Sequence, residues 1–192
     1  MNLEGKTIGF ALTGSFCTIP SALEALEALA KTGAAIIPIV SEAVAKTDTR
    51  FGTAESIRVR IAALTGREPI DSIEKAEPIG PKKLLDAILV CPCTGNTIAK
   101  IAGGITDTPV TMAVKAHLRN KRPVVLSVST NDGLSANAQN IGRLLNTRGI
   151  YFVPFGQDDP QNKNTSLVAD NILALSALEC ALAGEQLQPL LL

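Results

Sequence analysis

The apolar run Ala87-Ile88-Leu89-Val90 meets Cys91-Pro92-Cys93 and then the turn Thr94-Gly95-Asn96-Thr97, which opens a helical pattern through Lys100. A strand that ends in such a turn and passes into a helix presents backbone N–H groups and the positive end of a helix dipole to one anion. Thr94 and Thr97 add hydroxyls and Asn96 adds an amide, while Gly95 leaves room for close backbone approach. A helix cap needs one such residue, and three exceed that need. The chemistry implied is the holding of a phosphate, and a nucleotide-type cofactor is the leading reading.

Three further strand ends carry polar residues. Thr13-Gly14-Ser15-Phe16-Cys17-Thr18 offers a tight turn at Gly14 and a hydroxyl at Ser15. It contains neither the G-x-G-x-x-G dinucleotide fingerprint nor the G-x-x-x-x-G-K-[ST] phosphate loop, and an ordinary strand–helix turn explains it equally well. Ser41 suits a phosphate or a helix N-cap, and Glu42 stands near where a dinucleotide-binding fold places its ribose carboxylate. Ser129, Thr130 and Asn131 are candidate ligand contacts ahead of the sharp turn at Asp132-Gly133.

Other residues carry weaker signals. His117, the single histidine, sits late in a helical pattern among Lys115, Arg119 and Lys121, which reads as a surface residue or a partner of the helix dipole. With one histidine and no G-x-S-x-G, a Ser-His-Asp hydrolase has little support. Arg50, Arg58 and Arg60 read as solvated surface, or as a clamp for carboxylates if they face the site. Cys93 reads as packing rather than as a reactive thiol. Asp158-Asp159-Pro160 reads as a turn.

The elements that must position these residues alternate. Strands are expected at Thr7–Leu12, Ala35–Val40, Ala87–Val90, Val124–Val128 and Tyr151–Val153, nearly all apolar, as in parallel strands covered on both faces. Helices are expected at Ser21–Thr32, Ser56–Thr65, Thr97–Ala102, Val110–Asn120, Asn137–Asn146 and Ser166–Ala183. Ser41–Gly52 and Gly66–Pro81 read as long loops or short extra elements, and Gln186–Leu192 as a tail docked on the domain or a neighbour. The alternation implies one domain over residues 1–192, with a doubly wound parallel sheet between two helical layers.

Composition narrows the function classes. Lys plus Arg equals Asp plus Glu at 18 each, so no excess charge points to nucleic acid or an anionic membrane surface. Aromatic residues make up 3%, too few for a base-stacking surface. No apolar run approaches a membrane span and the start lacks a signal-peptide core, so a cytoplasmic protein is expected. The four cysteines form neither a disulfide framework nor a zinc pattern, and no metal is expected.

The run Pro92-Cys93-Thr94-Gly95-Asn96-Thr97, continuing to Asp107, resembles the Pro-Ala-Ser-Ala-Asn-Thr signature of the FMN-binding flavoproteins, which include peptidyl-cysteine and phosphopantothenoylcysteine decarboxylases. Ser129-Thr130-Asn131 stands where those decarboxylases carry Pro-x-Met-Asn. The likeness spans essentially the whole chain. It implies a flavodoxin-like three-layer α/β/α sandwich that binds FMN at the strand ends. By that resemblance Gly14, Ser15, Ser41, Thr94, Gly95 and Thr97 would contact the FMN phosphate and ribityl chain, with Ser129 and Thr130 nearby. Asn96 and Asn131 would face the flavin ring and substrate as catalytic residues. Homo-oligomers, as trimers or multiples of trimers, are also implied.

The segment before the third strand has no histidine where the decarboxylases place a catalytic one, and Cys93-Thr94 and Thr130 replace the family's residues. Within the family, Thr130-Asn131-Asp132-Gly133-Leu134 and Val153-Pro154-Phe155-Gly156-Gln157-Asp158-Asp159-Pro160 resemble a branch whose likeness implies an oxidoreductase component working on a small ring dicarboxylate, with NADP or NAD supplied through a partner subunit. Arg50, Arg58 and Lys100 would hold the carboxylates. A non-catalytic subunit that stabilises its partner is the alternative. Decarboxylation of a thiol-containing substrate without histidine is a third reading.

Overall fold

A computed structural model describes residues 3–192. Six elements cover the first part of the chain: β1 (Thr7–Leu12), α1 (Ile19–Ala30), β2 (Ala35–Val40), α2 (Glu42–Lys46), α3 (Ala54–Thr65) and α4 (Ile73–Ala76). The centre contains β3 (Ala87–Cys93), α5 (Gly95–Gly103), α6 (Pro109–Leu118), β4 (Val124–Thr130) and α7 (Ala138–Leu145). The last part contains β5 (Ile150–Phe152), β6 (Phe155–Gly156), β7 (Leu167–Ala169) and α8 (Ala174–Leu182).

The strands run in the order β2-β1-β3-β4-β7-β6, with β5 on the lower half of β4. β1, β2, β3, β4 and β5 pair in parallel. β7 takes the upper end of β4, where Ser129 faces Val168 and Thr130 faces Leu167 in antiparallel register, and β6 pairs with β7 in the same sense. One edge of β4 thus serves two partners. α1 packs against α8 and α3, and α6 against α4 and α5, so helices cover both sheet faces. All seven residues of β3 are buried for that reason. Gly9 leaves space in β1 that the Leu85 and Ile88 side chains fill. Phe10 and Phe152 are the largest fully buried side chains.

The expected β1 and β2 match residue for residue, and β3 and β4 run past their expected ends by three and two residues to Cys93 and Thr130. Three expectations need correction. Ser166–Ala183 is not one helix, because Leu167–Ala169 pairs with β4 and Asn171–Leu173 forms a 3-10 turn before α8; long-range pairing overrides a local helical pattern. The sheet is therefore mostly, not wholly, parallel. His117 is not a surface residue: it is 1% exposed, and its Nε2 lies 3.1 Å from the Pro123 carbonyl. In the two expected loops, Ser41 and Ser72 cap the short helices α2 and α4, and Ile70 bridges to Ile39 beside β2. The tail docks on the domain through Leu190 and Leu192, which bond the Phe155 backbone. Among the described residues no helix is long and apolar enough to cross a membrane.

Burial lowers the His117 pKa from 6.5 to about 4, so the folded protein keeps this imidazole neutral where the unfolded chain protonates it. Stability should be full above pH 6.5, fall by on the order of 3 kcal/mol as pH drops toward 4, and stop responding to this group below that. Urea midpoints measured from pH 7 to pH 4 check this, because His117→Gln should remove that part of the slope.

Candidate functional site

The ends of β1 and β3 are tied at Thr13, whose amide donates to the Pro92 carbonyl at 3.3 Å. Thr13 Oγ1 donates to the Pro92 carbonyl at 2.7 Å and accepts from the Thr94 amide at 3.0 Å. Thr94 then caps α5, accepting from the Thr97 amide at 3.3 Å, and the two threonine hydroxyls lie 3.0 Å apart. Because the first turn of a helix has no internal acceptors, the Gly95 and Asn96 amides remain as its available donors.

A cleft of about 450 Å³ opens above these strand ends. Gly14 and Ser41 form one wall, Thr94, Asn96 and Thr97 the floor, and Lys100 and Thr108 the far side. Ser41, Thr94 and Thr108 are the N-caps of α2, α5 and α6, each with its hydroxyl accepting from the helix amide three residues on. Three helix starts therefore border one cleft, a field that favours an anion. Lys100 Nζ lies 2.9 Å from both Asp107 oxygens, and this contact holds the Asp107 carboxyl below its ordinary pKa. An incoming anion would meet an ammonium that can exchange partners. Glu42 stands exposed at the rim, a second carboxylate beside the cleft.

Other expected residues gather in a second group. Ser15 and Ser129 hydroxyls lie 2.8 Å apart, with Thr18 Oγ1 3.1 Å from Ser129. The Thr130 hydroxyl donates to Asp132, which also accepts from the Asn137 amide at 2.8 and 2.9 Å. These bonds, Thr130 first, depress the Asp132 pKa. This group packs directly under Gly95, where a Cβ would collide with Thr130 Oγ1 and come 2.6 Å from Asn137 Nδ2 and 2.8 Å from Asp132 Oδ1. Gly95 is glycine because the end of β4 occupies the space of its side chain.

Not every expected residue reaches the cleft. Asn131 is exposed and does not line the cleft, and its carbonyl accepts from Thr165 Oγ1 at 2.6 Å. Arg58 is engaged on the surface by Glu55 and Glu68 at 2.6 and 2.7 Å, and Arg50 lies over the Phe51 ring at 4.8 Å. Neither arginine lines the cleft. Thr13, Thr18, Asp107, Thr108 and Asn137 carry no site signal in the sequence reading. Thr108-Pro109 followed by Thr111 is a legible helix start, whereas Thr13 and Asn137 act only through contacts made in the folded chain. Cys91 and Cys93 are buried, and burial raises the Cys91 thiol to about 12 and the Cys93 thiol further, so both pack rather than react. No group of His, Cys, Asp and Glu among the described residues has the makings of a metal site.

Gly95→Ala should destabilise the fold by about 1–3 kcal/mol through overpacking against Thr130, Asp132 and Asn137. Gly14→Ala, whose Cβ would stand 3.1 Å from that of Ala43, should cost less. Urea denaturation of both variants checks the order.

Residues 1–175 match the family model described as Flavoprotein. The dipicolinate synthase B subunit of Bacillus subtilis (strain 168) is 50% identical over 190 residues, covering 99% of this chain and 95% of that protein. A crystal structure of the dipicolinate synthase B subunit from Bacillus halodurans C superposes with a TM-score of 0.92 at 47% identity, over 100% of this chain and 98% of the other. A structure of AnUbiX (PadA1) in complex with FMN and dimethylallyl pyrophosphate shares the fold at a TM-score of 0.61 and 22% identity, over 78% of this chain and 77% of that one. The flavodoxin-like fold, the hydroxyl-lined strand ends and the match along most of the chain agree, and the chain belongs to the Flavoprotein family.

Proposed function

We propose that this chain is the B subunit of a dipicolinate synthase, working with a nicotinamide-binding A subunit to oxidise dihydrodipicolinate to dipicolinate during sporulation in the cytoplasm. The observation that carries this reading is the end-to-end likeness to the B subunit of the Bacillus subtilis synthase, at 50% identity, joined to an anion-favouring cleft at the strand ends.

The cleft fits the phosphate end of FMN. Gly14 brings bare backbone to its edge, Ser41, Thr94 and Thr97 supply hydroxyls, and three helix starts supply the field. In this reading Gly14, Ser41, Thr94, Gly95 and Thr97 hold the phosphate and the nearer ribityl hydroxyls. Ser15, Ser129 and Thr130 border the side toward β4. FMN, when bound, supplies a two-electron acceptor for the ring. Aromatising the dihydro ring removes a hydride and a proton, and NADP or NAD supplied through the partner would be the final acceptor. Asn96, exposed at the cleft, orients the ring substrate, with Asn131 at the neighbouring rim. Lys100 meets one substrate carboxylate by exchanging it for Asp107. Arg50 and Arg58 stand on other surfaces, so they reach the substrate only if a neighbouring copy of the chain carries it to them.

The one histidine is buried and neutral, bonded at Pro123 rather than at the cleft. That placement weighs against histidine-based decarboxylation of a thiol substrate. The non-catalytic reading, in which the chain keeps the fold and stabilises its partner, is separated from the first by activity. The homo-oligomer expected from the family, a trimer or multiple of trimers, belongs to the same proposal.

The test is reconstitution. Purified protein should take up FMN with a yellow absorbance band, and Lys100→Ala should leave FMN bound while raising KM for dihydrodipicolinate about tenfold, the order expected for one lost charge-assisted contact. Turnover should appear when both chains are present. No flavin uptake together with full activity of the nicotinamide-binding partner by itself would remove the redox role.

A further inference from the structure

A line of hydrogen bonds enters the rim from the 3-10 turn that precedes α8. Asn171 Oδ1 accepts from the Ser127 hydroxyl at 2.6 Å and from the Cys91 thiol at 3.2 Å, both on buried positions of the central strands. Asn171 Nδ2 lies 2.9 Å from Ser21 Oγ on α1. Ser21 Oγ donates to the Thr18 carbonyl at 3.0 Å, and Thr18 Oγ1 donates to the Ser15 carbonyl at 2.9 Å.

A hydroxyl has one proton, and a carbonyl can only accept. Ser21 has therefore committed its proton to Thr18 and must accept from Asn171, which fixes which end of the Asn171 carboxamide faces it. Thr18 has likewise committed its proton to Ser15. The Ser129 hydroxyl, 3.1 Å away, must then donate to Thr18, and the Ser15 hydroxyl, 2.8 Å from Ser129, must donate to Ser129. The direction of every bond in the cluster follows from two carbonyl acceptors. Five elements meet in the line: β3, β4, α1, the turn after β1 and the turn before α8.

We propose that Asn171 is a positioning residue for the strand-end site, acting through Ser21 and Thr18 on Ser15 and Ser129. Its role toward a bound FMN rests on the functional reading above, whereas its hold on the rim does not. Asn171 lies in the short link between β7 and α8, where the Asp170 amide donates to the Pro154 carbonyl at 2.9 Å. The next residue, Ile172, is 88% exposed, and its amide is held by Asp170 at 3.0 Å. The carboxamide adds side-chain bonds from this link to Ser127 and Cys91 on one side and to Ser21 on the other. Removing it frees Ser21 to turn away from Thr18, and the turn carrying Ser15 loses its seat.

A double-mutant cycle separates positioning from packing. Asn171→Ala, Ser21→Ala and the double variant are compared with Ser127→Ala, which breaks the line on the core side only. In ligand-free protein, exchange of the Thr18 amide, which bonds the Ser15 carbonyl at 3.0 Å, should quicken about threefold to tenfold in each single variant, and no further in the double. Ser127→Ala should lower the Tm yet leave Thr18 exchange at the wild-type rate. The FMN Kd, read by fluorescence quenching, should rise by a similar factor in Asn171→Ala, Ser21→Ala and the double. Additive effects, or wild-type exchange in Ser21→Ala, would overturn the proposal. Faster exchange with unchanged FMN affinity would also overturn it, leaving Asn171 a packing group. If Asn171→Ala does not fold, Ser21→Ala on the half-buried α1 surface still decides. If wild-type protein takes no FMN, the flavin part of the functional reading falls and the exchange pattern alone decides the role of Asn171.

Discussion

The Thr13 hydroxyl holds the open end of the sheet together. Above their last parallel bonds, β1 and β3 would otherwise diverge as one chain turns into α1 and the other into α5. At a position only 1% exposed, the Thr13 hydroxyl donates to the Pro92 carbonyl, which also accepts from the Thr13 amide, and it accepts from the Thr94 amide. Thr94 is thereby fixed as the cap of α5, and Asn96 in the first turn lines the cleft. Loss of that hydroxyl would leave the Thr94 amide without its acceptor, while the Pro92 carbonyl would keep only the Thr13 amide at 3.3 Å.

The two halves of the rim are built by different means. The side toward β2 is an electrostatic arrangement of helix starts, one ammonium and hydroxyl caps. The side toward β4 is a steric and hydrogen-bonded arrangement, in which Thr130, Asp132 and Asn137 press against Gly95, and Ser15, Thr18 and Ser129 share protons. The first half can receive an anion, and the second keeps the first in register.

Much of this is legible in the sequence, for identifiable reasons. β1 and β2 are bounded by local signals, since their apolar runs stop at polar or glycine residues. Thr94 and Ser41 stand out as small hydroxyl residues at strand-to-helix turns, and both line the cleft. The sequence is silent wherever a residue acts across the chain. Ser166–Ala183 has a helical pattern throughout, yet Leu167–Ala169 is drawn out by the exposed upper edge of β4. His117 sits among cations in sequence, but the helix turns it inward to Pro123. Arg50 and Arg58 have the right chemistry for carboxylates, but α3 and the loop before it carry them to other surfaces. Asn171 has no local signal at all, because its partner Ser127 lies 44 residues away and meets it only in the complete sheet.

The hydrogen bond from Thr13 to Pro92 joins residues 79 positions apart. Closing so large a loop carries an entropic cost before any contact rewards it, so contact order places the sheet's centre among the slower events of folding. A rim whose two sides come from strands so distant cannot exist in a half-formed chain. Any anion that binds there recognises the finished topology alone and, by mass action, holds it shut against unfolding. Occupancy of the cleft would thus act as a latch on the whole domain, with its strength set by the free concentration of whatever the cleft accepts.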